Sequence, residues 1–221
     1  MTERKTQKAR SHARIVRHAA RLFREHGVGS VGVDQLMSAA GLTHGAFYAH
    51  FRDKNALVAE ALASAFAQSR RNLFDSFPDE RGARWLELAT DRYLAPDHVE
   101  SAGSGCAVPA LAAELARATP ALRHAFTEQI AGIISLAEER IGGADARARA
   151  LSTMAAWVGA ISVARAVDDP AFAAEILAAV RATIAGQPAT PVPDAAPARP
   201  PRRGSAPRGD RPRPRSAARR R

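Results

Sequence analysis

Cysteine is nearly absent from this sequence of 221 residues, and Cys106 is its single example. A single cysteine excludes an internal disulfide, which is typical of a protein kept in a reducing compartment. The N-terminal segment lacks the apolar stretch of a signal peptide, and no apolar run approaches the roughly 20 residues that cross a bilayer. We therefore expect a soluble, cytoplasmic protein with no membrane partner.

Lysine is also scarce, since only three of the 32 basic residues are Lys. A GC-rich coding sequence produces that bias, so the formal charge of +10 does not by itself indicate nucleic acid. The distribution of charge is more informative. Residues 1–56 carry ten Lys or Arg against four Asp or Glu, whereas residues 57–186 carry twelve against sixteen. A basic N-terminal segment followed by a mildly acidic segment suggests an anion-binding module attached to a second domain.

Alternation of polar and apolar residues, the pattern of a strand, persists nowhere in the chain. Helical periodicity is present instead, which predicts an all-α protein. The predicted helices, besides two short ones within 33–54, cover residues 10–26, 54–77, 82–93, 97–102, 110–118, 121–141, 145–167 and 171–184. The predicted domains are a basic arm at 1–9, a helix-turn-helix domain at 10–56, a helical effector-binding and dimerisation domain at 57–186, and a tail at 187–221.

Residues 33–54 contain the motif on which the functional prediction depends. The first helix has an apolar face, Gly41 can adopt the positive φ that ends a helix, and Thr43 can cap the helix that follows. The apolar positions are Leu36, Met37, Ala40, Ala46, Phe47 and Phe51. Two short helices joined by a glycine-containing turn are the layout of a DNA-reading helix-turn-helix.

Residues 10–186 resemble the TetR family (TetR/AcrR) of transcriptional regulators. The resemblance rests on the run AGLTHGAFYAHF at 40–51, on Lys54 and Leu57 after it, and on Ala20, Leu22, Phe23 and Gly27 before it. The segments GCAVPALAAELARATPALRHAF and VGAISVARAVDDPAFAAEIL look like a recurrent subgroup of that family. The resemblance implies a repressor of the bacterial cytosol and nucleoid. Such a repressor binds a palindromic operator in double-stranded DNA as a dimer, and a small-molecule effector releases it.

The resemblance also implies roles for individual residues. Thr43, His44 and Gly45 would open the recognition helix, Tyr48 would reach a phosphate, and Lys54 would meet another at a helix N-terminus. The implied DNA-binding residues are Thr43, His44, Gly45, Tyr48, His50, Lys54 and Arg14. For His50 the alternative is packing or capping, and for Arg14 it is a solvated helix face. Gly32 departs from the pattern, because the family usually places Ser or Thr there.

The helices predicted at 145–167 and 171–184 carry more small and apolar surface than one bundle needs. A symmetric four-helix interface between two copies would bury that surface, and a purely internal core is the alternative. Two-fold symmetry would suit DNA reading, because paired recognition helices meet half-sites about one helical turn apart.

Residues 187–221 contain nine Pro and ten Arg, and we predict that they are disordered. They could add non-specific DNA affinity by counterion release, or have no dedicated role. An architectural nucleic-acid binder working through this tail is therefore the alternative to a repressor.

Cys106 lies in a glycine-rich joint between helices, where a pocket could open. A thiol at a helix N-terminus can react with electrophiles or oxidants, which makes Cys106 a candidate sensor. The alternative is a small buried hydrophobe, and no basic residue is near Cys106 in sequence. The candidate lining residues of an effector pocket are Trp85, Phe126 and Trp157, with Leu88, Tyr93, Leu111, Leu115, Ile130 and Met154.

Catalytic patterns are not found. His98 and His124 are the histidines nearest to Cys106 along the chain, but no nucleophile motif frames the cysteine. We therefore predict a protein that is not an enzyme, with no catalytic residue, no metal site and no cofactor.

Overall fold

The computed structural model describes residues 2–186, which form nine α-helices and contain no strand. This confirms the predicted all-α class. The predicted disorder of the tail concerns residues 187–221, which lie outside the described residues. No described helix is both long and apolar enough to cross a membrane.

The helices follow the predicted order. They are α1 (Thr2–His26), α2 (Val33–Ala39), α3 (Lys54–Arg70), α4 (Gly82–Tyr93), α5 (Pro96–Glu100), α6 (Ala107–Leu115), α7 (Pro120–Ile141), α8 (Ala146–Ala166) and α9 (Pro170–Ile184). A 3-10 helix at His44–Ala49, which we call the recognition helix, lies between α2 and α3. A π-helical turn at Arg71–Asp75 continues α3, and a 3-10 turn at Ala102–Ser104 precedes α6.

Three elements differ from the sequence-based predictions. Helix α1 begins at Thr2 rather than Arg10, because the basic segment taken for an arm holds good helix formers and neither Gly nor Pro. The recognition segment is a 3-10 helix, in which Ala46 donates its amide to the Thr43 carbonyl at 3.1 Å. Helix α6 begins before Pro109, since a proline in the first turn lacks an N–H that would have no helical partner there.

The first helices enclose a core around α2. Gly41 ends α2 with φ at +65°, and its amide donates to the Ser38 carbonyl at 2.9 Å. Asp53 caps α3, since its carboxylate accepts from the Ala56 amide at 2.8 Å. Side chains that are at most 3% exposed fill this core, namely Ile15, Ala19, Phe23, Leu36, Met37, Phe47, Phe51, Leu57 and Val58. The recognition helix is thereby fixed on one side and free on the other.

The later helices form a bundle on α3. Helix α7 packs against α3, α4 and α8, while α9 packs on α8 and α4. Buried side chains from both parts form one continuous hydrophobic cluster. That core continues across residue 56, so the burial pattern does not mark a boundary between two domains there. The predicted division between residues 56 and 57 stays a prediction.

Candidate nucleic-acid interface and thiol pocket

The recognition helix exposes its first turn and one aromatic side chain. Thr43 precedes it with extended backbone, and the Thr43 hydroxyl makes no capping hydrogen bond. Thr43, His44 and Gly45 are exposed, and Tyr48 is 67% exposed. Phe47, on the core side, is 1% exposed. Four of the predicted DNA-binding residues therefore lie together, clear of the core, as a candidate interface.

Lys54 and Arg14 are less accessible than that. Lys54 is half-buried, and its Nζ donates to the Val28 carbonyl in the loop between α1 and α2 at 2.6 Å. Arg14 is half-buried on α1, and its Nε is buried with no hydrogen-bond partner in the described part of the chain. A lysine ammonium has three donors, so Lys54 retains capacity for a phosphate while it ties the loop to α3.

His50 packs rather than projecting from the recognition helix. It is half-buried, and its ring centroid lies 5.8 Å from that of His12 on α1. Burial lowers the pKa of His50, and His12 and Lys8 act in the same direction. This arrangement agrees with the packing alternative stated for His50.

Asp34 is an interface residue that sequence reasoning missed. Its carboxylate on α2 lies 2.5 Å from Nδ1 of His44, and both side chains are largely exposed. Ten positions along the chain and a sharp turn separate the two residues, so helical spacing gives no signal for the contact.

Cys106 lies at a cavity. It is the residue before α6, is 9% exposed, and lines a cavity of about 290 Å³. Side chains of the lining are mostly polar, as Ser69, Asn72, Asp97 and Ser104 illustrate. The cavity therefore suits a small polar molecule and places the thiol in its wall.

His98 and Tyr93 hold the chain beside Cys106. The Cys106 amide donates to Nε2 of His98 at 2.8 Å, so Nδ1 carries the ring proton and donates to the Tyr93 carbonyl at 2.6 Å. Burial lowers the pKa of His98, which keeps its ring neutral. Tyr93 is 5% exposed and lines the cavity, and its hydroxyl has no oxygen or nitrogen partner within residues 2–186. Burial, and secondly the Cys106 thiol, raise the pKa of Tyr93 well above its usual value.

Two arginines that are distant in sequence also reach this segment. Arg24 of α1 donates to the Gly105 carbonyl at 2.9 Å and to Gln68 of α3 at 3.1 Å. Arg165 of α8 donates to the backbone carbonyls of residues 98 and 99. Burial lowers the pKa of both guanidinium groups, and the nearby Cys106 thiol partly opposes that shift. Arg24 is only 6% exposed, so its charged side chain is buried at this contact.

The three large aromatic candidates belong to the hydrophobic core. Trp85 is fully buried, Trp157 is 6% exposed, and Phe126 is half-buried. None of them lines the Cys106 cavity. Of the three, Trp157 contacts the cavity wall, because its ring stacks on the ring of Tyr93 with the two centroids 4.8 Å apart. The structure thus brings Cys106, but not these aromatics, to the cavity.

Comparison with known proteins supports these observations. Residues 15–61 match the family model described as bacterial regulatory proteins of the tetR family. Residues 15–61 therefore belong to the tetR family of bacterial regulatory proteins. The HTH-type transcriptional regulator AcrR of Shigella flexneri is 42% identical over 59 residues, which cover 27% of this chain. The match spans about a quarter of that relative's length, 26%.

TetR-family structures share the whole described fold. A TetR-family transcriptional regulator from Cytophaga hutchinsonii superposes with a TM-score of 0.70 at 21% identity, covering 84% of this chain and 98% of its own. The reduced form of E. coli NemR gives 0.66 at 20%, covering 82% and 98%. A TetR regulator from Chloroflexus aurantiacus gives 0.68 at 22%, also covering 82% and 98%. At these identities the likeness shows the fold alone.

The last two helices, α8 and α9, carry apolar side chains that the described residues leave exposed. On α8 the exposed strip consists of Leu151, Ala155, Gly159 and Val163, spaced four residues apart. Phe172 of α9 is 48% exposed. Small residues at the middle of the strip permit close approach of another helix.

Among residues 2–186, no group of three or more His, Cys, Asp or Glu is arranged to hold a metal ion.

Proposed function

We propose that this TetR-family regulator is a repressor that binds a palindromic operator as a homodimer and is released by a small-molecule effector. The observation that carries the proposal is the exposed start of the recognition helix, inside the segment that matches the family model. The proposed DNA-binding residues are Thr43, His44, Gly45 and Tyr48, with Lys54, His50 and Arg14 supporting them.

The chemistry of this surface suits a duplex. The Tyr48 and Thr43 hydroxyl groups can donate to phosphate oxygens, and the absence of a side chain at Gly45 allows close approach of the backbone. His44 offers ring nitrogens to a base edge. The surplus of basic residues in 1–56 adds a sequence-independent attraction that weakens as salt rises.

This part of the proposal is tested by fluorescence anisotropy with the duplex upstream of the gene. We expect the logarithm of affinity to fall linearly with the logarithm of salt concentration. Tyr48→Phe should weaken binding to all sequences alike, whereas Ser135→Ala, which removes an exposed hydroxyl on α7, should not. Binding that is insensitive to salt and to Tyr48→Phe would contradict the proposal.

We further propose that Cys106 is the effector site and that the effector is an electrophile or an oxidant. An activated alkene would add to the thiol, so that a carbon–sulfur bond forms, the alkene π bond opens and the thiol proton ends on the neighbouring carbon. The cavity at Cys106 and the unpartnered Tyr93 hydroxyl in its wall support a bound polar molecule there.

The contacts around Cys106 suggest how its modification would reach DNA. Gly105, the preceding residue, is bonded through its carbonyl to Arg24 of α1, and Arg24 is bonded to α3 through Gln68. A group added at Cys106 would displace this segment and shift α1 and α3, and α1 packs against α2, the helix on which the recognition helix packs. The modification would then change the relative populations of two orientations of the DNA-reading helices.

N-ethylmaleimide provides the test, because it alkylates an accessible thiol irreversibly. Wild-type protein should lose operator binding on labelling, while Cys106→Ser should bind DNA normally and keep binding after treatment. Release of DNA from the Cys106→Ser variant by the reagent, or retention by labelled wild type, would overturn the sensor proposal without affecting the DNA-binding proposal.

The basic tail favours one alternative, an architectural binder of nucleic acid. Residues 187–221 hold ten Arg, enough for substantial counterion release. Deleting them separates the two functions. A repressor retains its preference for one operator over scrambled DNA, whereas an architectural binder loses nearly all affinity.

A further inference from the structure

Asp34 and His44 join the two helices of the DNA-reading motif through one contact. The Asp34 carboxylate on α2 lies 2.5 Å from Nδ1 of His44, the first residue of the recognition helix. We propose that Asp34 determines sequence specificity by fixing the His44 ring, so that Nε2 on the other side of the ring meets one base edge in the major groove. This inference rests on the proposed DNA-binding function.

Stability does not explain the contact. The side chains of His44 and Asp34 are 52% and 84% exposed, and pairs of that kind contribute little to folding. The ring of His44 also lies within 6.1 Å of the Tyr48 ring, on the exposed side of the recognition helix. The contact is therefore placed on the surface that the proposal assigns to DNA.

Charge makes the position of Asp34 informative. It is the sole acidic residue between Glu25 and Asp53, and it lies within residues 1–56, which carry ten Lys or Arg against four Asp or Glu. A carboxylate near DNA is repelled by phosphates, and so by itself lowers affinity for every sequence. A carboxylate that fixes the candidate base-reading side chain can increase the difference in affinity between the preferred sequence and other sequences.

The chemistry of the pair explains what is gained. An imidazole can rotate about two side-chain bonds and carry its proton on either nitrogen. With Nδ1 donating to Asp34, both the ring orientation and the identity of the nitrogen left for DNA are fixed. A base contact made by an oriented group discriminates more strongly than one made by a mobile group.

A double-mutant cycle on the full chain tests the inference. The variants are Asp34→Ala, which removes the acceptor as well as the charge, His44→Ala and the pair, and the probes are the duplex that wild type enriches from a random library and its scrambled counterpart. Removing the charge alone would tighten binding to both probes. We expect Asp34→Ala to tighten binding to the scrambled duplex but to weaken binding to the enriched one, by about tenfold, the size of one lost base contact. In the His44→Ala background that weakening should vanish.

A matched control is available in the chain. Glu60 of α3 and His12 of α1 also form a carboxylate–histidine pair, at 2.6 Å, and neither residue belongs to α2 or the recognition helix. Glu60→Ala should leave the ratio of affinities for the two duplexes unchanged.

Two results would overturn the inference. If Asp34→Ala tightens both duplexes equally, the carboxylate acts only as a charge. If it weakens the enriched duplex as much with His44→Ala as without, Asp34 reads a base itself. A wild type that enriches no sequence would instead refute the proposed function, so the two failures are distinguishable.

Discussion

His98 contacts the chain around Cys106 through both of its ring nitrogens. Nε2 accepts from the Cys106 amide, which requires that this nitrogen carry no proton. Burial lowers the pKa of His98 in the folded state, below the value of about 6.5 expected when the chain is unfolded. The unfolded state therefore binds more protons as the pH falls through about 6.5, and stability falls with it.

The first prediction concerns this acid sensitivity. The melting temperature of wild type should drop as the pH is lowered from about 7.5 to about 5.5, and His98→Gln should show a smaller drop. His124→Gln, which changes an exposed histidine of α7, should follow wild type. Equal pH dependence in His98→Gln and wild type, measured by thermal denaturation, would show that His98 is not responsible.

Gly105 gives a second prediction at the scale of one residue. A Cβ atom there would lie 2.5 Å from Cδ2 and 2.7 Å from Nε2 of His98, a ring held in place on both sides. Gly105→Ala should therefore lower the free energy of unfolding by about 1–3 kcal/mol, as overpacking does. Gly132→Ala in the middle of α7 meets nothing and should raise it by about 0.5–1 kcal/mol. Urea denaturation measures both, and unchanged stability of Gly105→Ala would contradict the structure.

Single residues also differ in how far the sequence foretells them. Tyr48 and Phe47 were placed correctly on the exposed and buried sides, because the helix-turn-helix pattern is local. The burial of Arg24 has no such local signal, because its partner carbonyl lies 81 positions away. Asp34 was missed for a similar reason, since its contact crosses a turn whose geometry no spacing rule describes.

Helix α6 is bonded at both of its ends to the DNA-reading helices. At its start, the Gly105 carbonyl accepts from Arg24. In its last turn, the carboxylate of Glu114 accepts from the backbone amides of Val28 and Gly29 at 2.8 and 2.5 Å. A displacement of α6 is therefore transmitted to the loop that precedes α2, in addition to any motion of α3.

The third prediction follows from that carboxylate. Glu114→Gln keeps the shape but offers one acceptor and one donor to two backbone donors, so one amide loses its partner. We expect a loss of about 1–3 kcal/mol in unfolding free energy and weaker operator binding. Glu139→Gln, an exposed change on α7, serves as the control. Identical urea denaturation and anisotropy curves for Glu114→Gln and wild type would exclude this role for the contact.

Helix boundaries were predictable where the chain supplies a cap or breaker. The start of α3 agrees with prediction, because Asp53 caps it. Helix α4 also agrees with prediction, because Pro96 follows its end. The first turns of α1 and the 3-10 form of the recognition helix were missed. Neither has a residue type that marks it, and packing of Phe47 and Phe51 decides the conformation of the second.

At the scale of the whole molecule, the proposed dimer would cover the exposed strip on α8. Val163 is 47% exposed and stands in that strip, so a charge there costs the monomer little. We predict that Val163→Glu sediments as a monomer in analytical ultracentrifugation, because the charge would be buried unpaired in the proposed dimer. Ala131→Glu, at an exposed site of α7, should remain a dimer. A dimeric Val163→Glu protein would place the interface elsewhere.

The overall architecture could be predicted further than the pocket. All-α class and helix order follow from periodicity and from a local motif. The cavity at Cys106 is built by α3, α4, α5 and the residues before α6, and its polar lining arises from tertiary packing. Aromatic content therefore pointed to Trp85 and Phe126, which the fold uses for its core.

Two-fold, sequence-specific DNA binding is the central claim, and a protection footprint on the DNA upstream of the gene tests it most directly. The account predicts two protected stretches related by two-fold symmetry, with centres about one helical turn apart. Protection should persist when residues 187–221 are deleted and should disappear with Val163→Glu. Uniform protection without a symmetric site, lost on deletion of that tail, would contradict the account.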